Sequence, residues 1–561
     1  MTALEAARAA IAAIGEIDDP AVFISVADDA LIDPWAASVD DRPGDEVPLR
    51  GRVVAAKDNV DVVGLATTSA CPSASYEPER SATVIERLLA AGAVPVAKTN
   101  MDQFATGLVG TRSPHGTPRN PVDPGLIPGG SSSGSAVAVA RGLVDIGIGT
   151  DTAGSGRVPA ALCGVVGFKP TVGRVPTGGV VPAVRTVDCV SFFTPSVEAA
   201  RNLVPIVSGP DDRDPFAVAG PSSPPLVVAP SMAVASLDQL ASAGAAHATV
   251  AAYDAVLDRL RRAGMALDEV DLGPLFAIGD LLYGGPMVAE RLAAVEPHLA
   301  AGGGDLDPVV AEVIGGGARF SAVDAHRATY RLAELRAGPP STMLRSGRTL
   351  LLPTIPFAPS PADVAADPIG VNSALGRFTT FANLLGWCAV AVPVRDVAPP
   401  PFGVTVFAPA WHDEHALDVA AAVQHGGAPP SPAGGVRLAV AGAHLRGQPL
   451  AHQLEERGAV WEGTTSTAAE YRLFALPGGP PFKPALVNDA AGTSIEVDVW
   501  RLDDAALGSF LQLIPAPLAL GTVSLADGSH TVGFVSEPRA TEGATEITHY
   551  GGWRAFVTDQ G

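Results

Sequence analysis

Residues 129–161 read GGSSSGSAVAVARGLVDIGIGTDTAGSGRVPAA, with eight glycines, five serines and no aromatic residue. Every ordered glycine costs backbone entropy, so this composition must be offset by packing or by chemistry. A serine hydroxyl is a nucleophile only when a neighbour takes its proton. The segment GTDTAGSG (149–156) joins one such serine to consecutive backbone N–H groups that can converge on an oxyanion. Side chains in place of its glycines would crowd a bound acyl group. A base is available in Lys57, which ends the apolar run of GRVVAAKDNVDV (51–62). Burial at such a place lowers a lysine's proton affinity and populates the neutral amine. A surface group or a structural ion pair fits the same spacing, which leaves both readings open. The phosphate-loop pattern GxxxxGK[ST] is absent. GSSSG (130–134) fits a bare GxSxG with Ser132 central, but it lacks the strand–turn–helix setting and the ordered Asp and His partners of a nucleophile elbow.

These residues need a scaffold. The periodicity predicts an amphipathic helix over 5–15, a short buried strand ending at Lys57 and a turn at Asp58-Asn59. SATVIERLLAAGAVPVAKTN (81–100) passes from a helical period to an apolar strand, and the pattern recurs over 133–150 and 185–209. Further helices are expected at 239–263 and 283–298, the second ending before Gly302-Gly303-Gly304. Together they predict a large α/β domain with a mixed sheet covered by helices. A helical pattern ends at Ala420–Ala422, and QHGGAPPSPAGG (424–435) reads as a turn-rich linker. Beyond it lie VRLAVAG, YRLFAL, SIEVDVWRL, GTVSLADG and HTVGFVSE, with Asp527-Gly528 as a hairpin turn. The expected division is 1–425 and 434–561, the second part β-rich or α+β.

Composition narrows the function classes. The 561-residue chain is 47% hydrophobic and 17% charged, as expected of packed domains. Its formal charge of −22 argues against nucleic acid and against an anionic membrane surface. A local arginine still permits a small anionic substrate. Cys71, Cys163, Cys189 and Cys388 show no CxxC spacing and read as reduced core residues of a cytoplasmic protein. The eleven histidines include no HExxH, and no metal site is expected. The first residues carry acids early and read as a helix rather than a signal peptide, and charges interrupt every apolar run long enough to span a bilayer.

Lys57, GGSSSGSAVAVA and GTDTAGSGRVPAALCGVVGFKPT resemble the amidase signature family, over about residues 20–420. The resemblance implies a Ser–cisSer–Lys triad, with Ser155 as nucleophile, Ser131 following a cis peptide and Lys57 as base. It implies an oxyanion hole from the N–H groups of Thr152, Ala153, Gly154 and Ser155. Ser131 then relays a proton between Ser155 and Lys57. Asp151 is expected to brace the loop, and Ser132, Ser133 and Ser135 to orient it and satisfy buried polar groups. Gly130 and Ser132 are assigned to substrate binding.

Two further regions are similar to the allophanate hydrolase subgroup. In LLYGGPMVAERLAAV (281–295), Tyr283 and Arg291 match substrate-binding positions, and Arg291 can grip a small carboxylate such as that of allophanate. Arg157 and Arg174 are the alternatives for that grip. RFTTFANLLGWCAVAVPV (377–394) matches late in the same domain. The subgroup usually has Asn at Thr380, Asp at Gly386 and Glu at Gly284, so pocket details differ here. VAGAHLRGQPLAHQLEERGA (440–459) and YRLFALPGGPPFKPALV (471–487) resemble the subgroup's C-terminal domain, of γ-glutamylcyclotransferase-like fold. That domain is implicated in decarboxylating N-carboxyurea, which would make His452 catalytic, with Tyr471 and Glu496 near the pocket. The implied activity is hydrolysis of allophanate to ammonia and carbon dioxide, within urea nitrogen metabolism or cyanuric acid degradation. No cofactor is implied. A urea carboxylase or biuret hydrolase on another chain would supply substrate, and a homodimer is expected. A malonamide-type or broad-specificity amidase is the alternative, and the glutaminase component of an amidotransferase is a more distant one.

Overall fold

The computed structural model describes every residue except 1, 222–230, 300–303, 398–400, 428–434, 503 and 561. They divide into two compact units, most of residues 1–430 in the first and residues 431–561 in the second.

The first unit is built on an eleven-stranded sheet. Its strands are β1 (Phe23–Val26), β2 (Val53–Lys57), β3 (Val94–Thr99), β4 (Ile146–Asp151), β5 (Val166–Lys169), β6 (Cys189–Thr194), β7 (Ser231–Val234), β8 (Ala266–Glu269), β9 (Leu350–Pro353), β10 (Cys388–Pro393) and β11 (Gly403–Ala408). Their order is β1-β3-β2-β4-β6-β5-β10-β11-β9-β7-β8. The expected mixed character is present: β2 runs parallel to β3 and β4, whereas β4 and β6 are antiparallel. Strands β2 to β6 are buried along their whole length, because helices cover the sheet and near-continuous apolar runs satisfy both faces. The helix Thr83–Ala90 makes the crossover from β2 to β3.

The predicted helix over 239–263 is two helices, Leu237–Ser242 and His247–Arg262. The segment around 283 is also divided: one helix ends at Tyr283 and the next is Val288–Leu299, so Tyr283 and Arg291 do not share a helix. Gly284, Gly285 and Pro286 favour that break. Of the three glycines expected after the second helix, Gly302 and Gly303 lie outside the described residues. The helix Asp413–His425 runs past Ala422 into the expected linker and is capped by Gly426 at φ 67°, a conformation suited to glycine. The linker's residues 428–434 lie outside the described residues.

The second unit has β12 (Val436–Val440), β13 (Val460–Ser466), β14 (Tyr471–Ala475), β15 (Pro484–Asn488), β16 (Glu496–Leu502), β17 (Leu518–Ser524), β18 (His530–Ser536) and β19 (Thr545–Glu546). One sheet has the order β13-β16-β12-β18-β17, the other β15-β14-β19. The unit also carries the helices Asp504–Leu511 and Trp553–Gln560, making it α+β. β17 and β18 form the hairpin expected at Asp527-Gly528, with Gly528 at φ 83°. Leu438, Val497, Trp500, Leu502 and Phe510 belong to its own apolar core.

Among the described residues, no helix is long and apolar enough to cross a membrane. No group of three or more His, Cys, Asp or Glu side chains among them could hold a metal ion. All four cysteines are free and buried.

Candidate active site

Parallel β2 and β4 are neighbours, so their C-terminal ends emerge side by side and bring Lys57 next to Thr150. The helix Ser133–Ala140 lies directly on β4. This packing accounts for two of the glycines in the opening stretch. A Cβ at Gly147 would stand 2.7 Å from the Ser135 carbonyl oxygen, and one at Gly149 would stand 2.7 Å from Ser132 Oγ. The close approach sets the serine-rich loop over the end of β2.

Lys57 Nζ donates to Ser131 Oγ at 2.8 Å and to Thr150 Oγ1 at 2.7 Å. The Gly130–Ser131 peptide is cis. Lys57 and Ser131 are fully buried, and Ser155 is 2% exposed. Burial pushes the Lys57 amine down to about 7. The carboxylates of Asp102, Asp188 and Asp151 oppose that shift, and the Arg291 charge reinforces it. Near neutral pH the amine is therefore available as a base. Ser155 Oγ donates to the Gly107 carbonyl at 3.4 Å, so its hydroxyl is turned toward Gly107 rather than Ser131. Hydrogen bonds of unliganded sites commonly tighten only with substrate in place.

The turn carrying Ser155 is clamped on several sides. Asp151 accepts from the N–H groups of Gly154 (2.9 Å) and Gly156 (3.0 Å) and pairs with Arg157, also at 2.9 Å. Burial alone would raise the Asp151 carboxyl, but Arg157 and these donors hold it below its ordinary value. Asp151 is thus a brace, as expected. Gly154 needs correction as an oxyanion donor, because its N–H is committed to Asp151. Among the described residues, the N–H groups of Thr152, Ala153 and Ser155 have no protein acceptor. Thr152 Oγ1 donates to Asp188 at 2.6 Å, and Thr379 Oγ1 donates to the Ala153 carbonyl at 2.7 Å. Asn383 Nδ2 donates to the Asp151 carbonyl at 2.6 Å. Asp188, Thr379 and Asn383 come from distant parts of the chain; Thr379 and Asn383 lie in the 377–394 segment, but its resemblance does not single them out.

The Ser132 hydroxyl takes the loop-orienting role expected of it. Its hydroxyl donates to the Thr150 carbonyl and accepts from the Thr150 N–H, which turns it onto β4. Ser135 Oγ likewise donates to the Ile148 carbonyl at 2.8 Å. Gly130 lies against the Asp102 carboxylate.

Arg291 is 1% exposed and donates from Nη1 to Thr106 Oγ1 at 2.8 Å, with the Ala105 and Phe104 carbonyls at 3.3 and 3.4 Å. Its charge acts on Lys57 and Asp188, which puts a buried guanidinium at the same site. The alternatives are committed elsewhere: Arg157 to Asp151, and Arg174 to Asp413 and Glu414. Tyr283 ends its helix, and its side chain lies outside the described residues.

In the second unit, His452 stands exposed on the five-residue helix Ala451–Glu455, with Nδ1 2.9 Å from the Pro449 carbonyl oxygen. Among the described residues it lines neither of two cavities in this unit; His444, Gln453, Lys483, Phe510 and Phe534 line one of them. His444 stacks on Phe534, meets Phe510 edge-on and places Nε2 3.0 Å from Gln453 Oε1. Burial lowers its proton affinity. Tyr471 and Glu496 are also engaged elsewhere, Tyr471 OH accepting from the Ser524 N–H and Glu496 pairing with Arg554.

Residues 5–417 match the amidase family, and residues 436–558 match the allophanate hydrolase C-terminal domain. The chain is 39% identical over 549 residues to the urea amidolyase of Saccharomyces cerevisiae, an alignment covering 91% of this chain and 30% of that protein. It thus spans under a third of that relative's length. It is 35% identical over 426 residues to a glutamyl-tRNA(Gln) amidotransferase component of Deinococcus radiodurans, covering 70% of this chain and 88% of the relative. The solved structure of Kluyveromyces lactis allophanate hydrolase superposes with a TM-score of 0.72 at 33% identity, covering 100% of this chain and 97% of that one.

Proposed function

Because the chain belongs to the amidase family and continues into an allophanate hydrolase C-terminal domain, we propose that it hydrolyses the terminal amide of allophanate through an acyl-enzyme on Ser155. The observation that carries this reading is the similarity across both units, where the amidotransferase component matches only 70% of the chain. Ammonia release from a panel of allophanate, biuret, malonamate, glutamine and benzamide tests it. Allophanate should be the preferred substrate, and comparable rates on benzamide would replace this reading with a broad-specificity amidase.

In the proposed reaction, Ser155 Oγ turns from Gly107 to Ser131 and gives up its proton, while Ser131 passes one to neutral Lys57. The alkoxide attacks the amide carbon. The N–H groups of Thr152, Ala153 and Ser155 receive the oxyanion. Lys57 returns the proton through Ser131 to the leaving nitrogen, and ammonia departs. Water then cleaves the acyl-enzyme by the same relay. Atom balance corrects the expected product: N-carboxyurea is allophanate itself, and replacing its terminal amino group by hydroxyl gives N-carboxycarbamate. Protonation at nitrogen with loss of carbon dioxide leaves carbamate, which breaks down to ammonia and a second carbon dioxide.

Arg291 is the proposed partner of the substrate carboxylate. Arg291→Leu should lower kcat/KM for allophanate by roughly 10- to 100-fold, the worth of a charge-assisted contact. Biuret, with an amide in place of the carboxylate, should lose much less. Equal losses on both substrates would leave Arg291 a structural role alone.

We also propose that residues 1–425 and 434–561 divide the chemistry, the second unit accelerating decarboxylation in the cavity lined by His444. Residues 1–425 expressed alone should release the first ammonia at the full-length rate while carbon dioxide lags. His444→Asn in the full chain should reproduce that lag and His452→Asn should not, as read by stopped-flow traces of both gases. Equal traces for truncated and full-length protein would leave the second unit without a chemical role. The substrate would come from a urea-carboxylating or biuret-hydrolysing enzyme on another chain, and a homodimer is the proposed assembly.

A further inference from the structure

Asp102 is a fully buried carboxylate that the reaction above leaves unused. It follows β3 and stands between the two walls of the site. On one side its Oδ2 accepts from the Gly110 N–H and its Oδ1 from the Arg112 N–H, both at 3.0 Å. On the other, its own N–H donates to the Ser131 carbonyl at 3.1 Å. Burial raises the proton affinity of this carboxyl, and the Arg112 charge, the two N–H donors and the Lys57 charge oppose that rise; with both oxygens accepting, these bonds favour the ionised form.

The space around it is shaped by glycine. A Cβ at Gly107 would meet Asp102 Oδ2 at 2.5 Å, Cγ at 2.8 Å and Cβ at 3.3 Å, and none of its three nearest contacts is any other residue. A Cβ at Gly130 would collide with the same carboxylate. Gly107 supplies the carbonyl that holds the Ser155 hydroxyl, and Gly130 precedes Ser131 across the cis peptide. Between Asp102 and Gly107 the chain takes an unusual course. Phe104 and Ala105 are consecutive non-glycine residues in the left-handed region, at φ 47° and 53°. Such a conformation persists only when its surroundings over-determine it. The Asp102 carbonyl accepts from the Ala105 N–H at 3.0 Å, and the Phe104 and Ala105 carbonyls face Arg291.

We propose that Asp102 is a positioning residue for the triad, its carboxylate holding the Gly107–Arg112 loop and the Gly130–Ser131 peptide at a fixed separation so that Ser155 can reach Ser131. The inference rests on the proposed roles of Ser155, Ser131 and Lys57 and extends them to a fourth side chain. Electrostatics gives the same residue a second effect. The charged groups acting on Lys57 are Asp102, Asp188, Asp151 and Arg291, and Asp102 is the strongest of them, favouring the protonated amine. The cations facing Asp102 are Arg112 and Lys57. Loss of its charge therefore lets Lys57 shed its proton at lower pH.

The test is the pH dependence of Ser155 labelling by a fluorophosphonate, a probe that reports the nucleophile without requiring allophanate. In Asp102→Asn the plateau rate should fall roughly tenfold or more from misplacement of the reacting groups. The rising limb should move down by about half a pH unit or more. Gly107→Ala pushes on the carboxylate without removing its charge, so its plateau should fall while its limb stays in place. This second variant keeps the test decisive if Asp102→Asn does not fold. A wild-type plateau in either variant overturns the proposal, and so does a lowered plateau in Asp102→Asn with an unmoved limb, which packing alone would produce. Wild-type protein that takes no label at Ser155 would fail the reading of the triad instead. Labelling without allophanate hydrolysis would fail only the substrate assignment.

Discussion

Ser155→Ala should abolish turnover, lowering kcat by at least ~10⁴-fold, the scale seen when an acyl-transfer nucleophile is removed. The substitution deletes one hydroxyl whose hydrogen bond, to the Gly107 carbonyl, is long at 3.4 Å. Folding should therefore be little affected, and thermal melting should follow the parent's. Enzyme quenched during turnover should carry its acyl adduct on the peptide containing Ser155. An adduct on Ser132 would sink the assignment. The structure argues against that outcome, because the Ser132 hydroxyl is engaged at both ends by the Thr150 main chain.

Lys57→Met should cost roughly 10²- to 10⁴-fold in the acylation step, the usual range for a positioned base. Methionine retains most of the lysine volume, so the loss should come from chemistry rather than from a cavity. The wild-type pH profile provides a second check. A lysine lowered to about 7 by burial is protonated and inactive at pH 5 to 6 and neutral above 8. The acid limb of kcat/KM should therefore rise through the neighbourhood of pH 7 and then flatten. In Lys57→Met that limb should vanish from whatever rate survives. A limb retained at the same pH would assign it to another group.

Much of this arrangement was legible in the sequence, for identifiable reasons. An apolar strand that ends in lysine has few ways to be packed, and the glycines of 147–156 announce a main chain approached closely by its neighbours. The amidase family expected from Lys57 and the two serine-bearing stretches is the family to which the chain belongs. The mixed sheet and the separate α+β C-terminal domain also match expectation. What escaped the sequence was direction and commitment. Three consecutive serines carry no mark of which one faces the site and which lies on β4. The Gly154 N–H counts as a free donor until the Asp151 carboxylate is seen beside it. His444 and His452 lie eight positions apart in one short segment, and a helix of five residues offers too little periodicity to tell an exposed face from a cavity wall. Asp102 was invisible for a different reason. Its partners are main-chain N–H groups and the absent side chains of Gly107 and Gly130, and neither kind of partner leaves a spacing pattern.

The burial of the site also governs traffic. Lys57 and Ser131 have no exposed surface, and Ser155 and Arg291 expose 2% and 1%. Such enclosure excludes bulk water and strengthens every charge in the site. Under the proposed function, substrate and hydrolytic water reach groups that have almost no exposed surface, and the products leave from them. Where loading or unloading requires the walls to move, such motions set the rate of many enzymes whose chemistry is fast. For this protein, solvent viscosity becomes an informative variable: slowing of kcat in proportion to added sucrose would mean that the clock is passage through the wall and not the breaking of the amide.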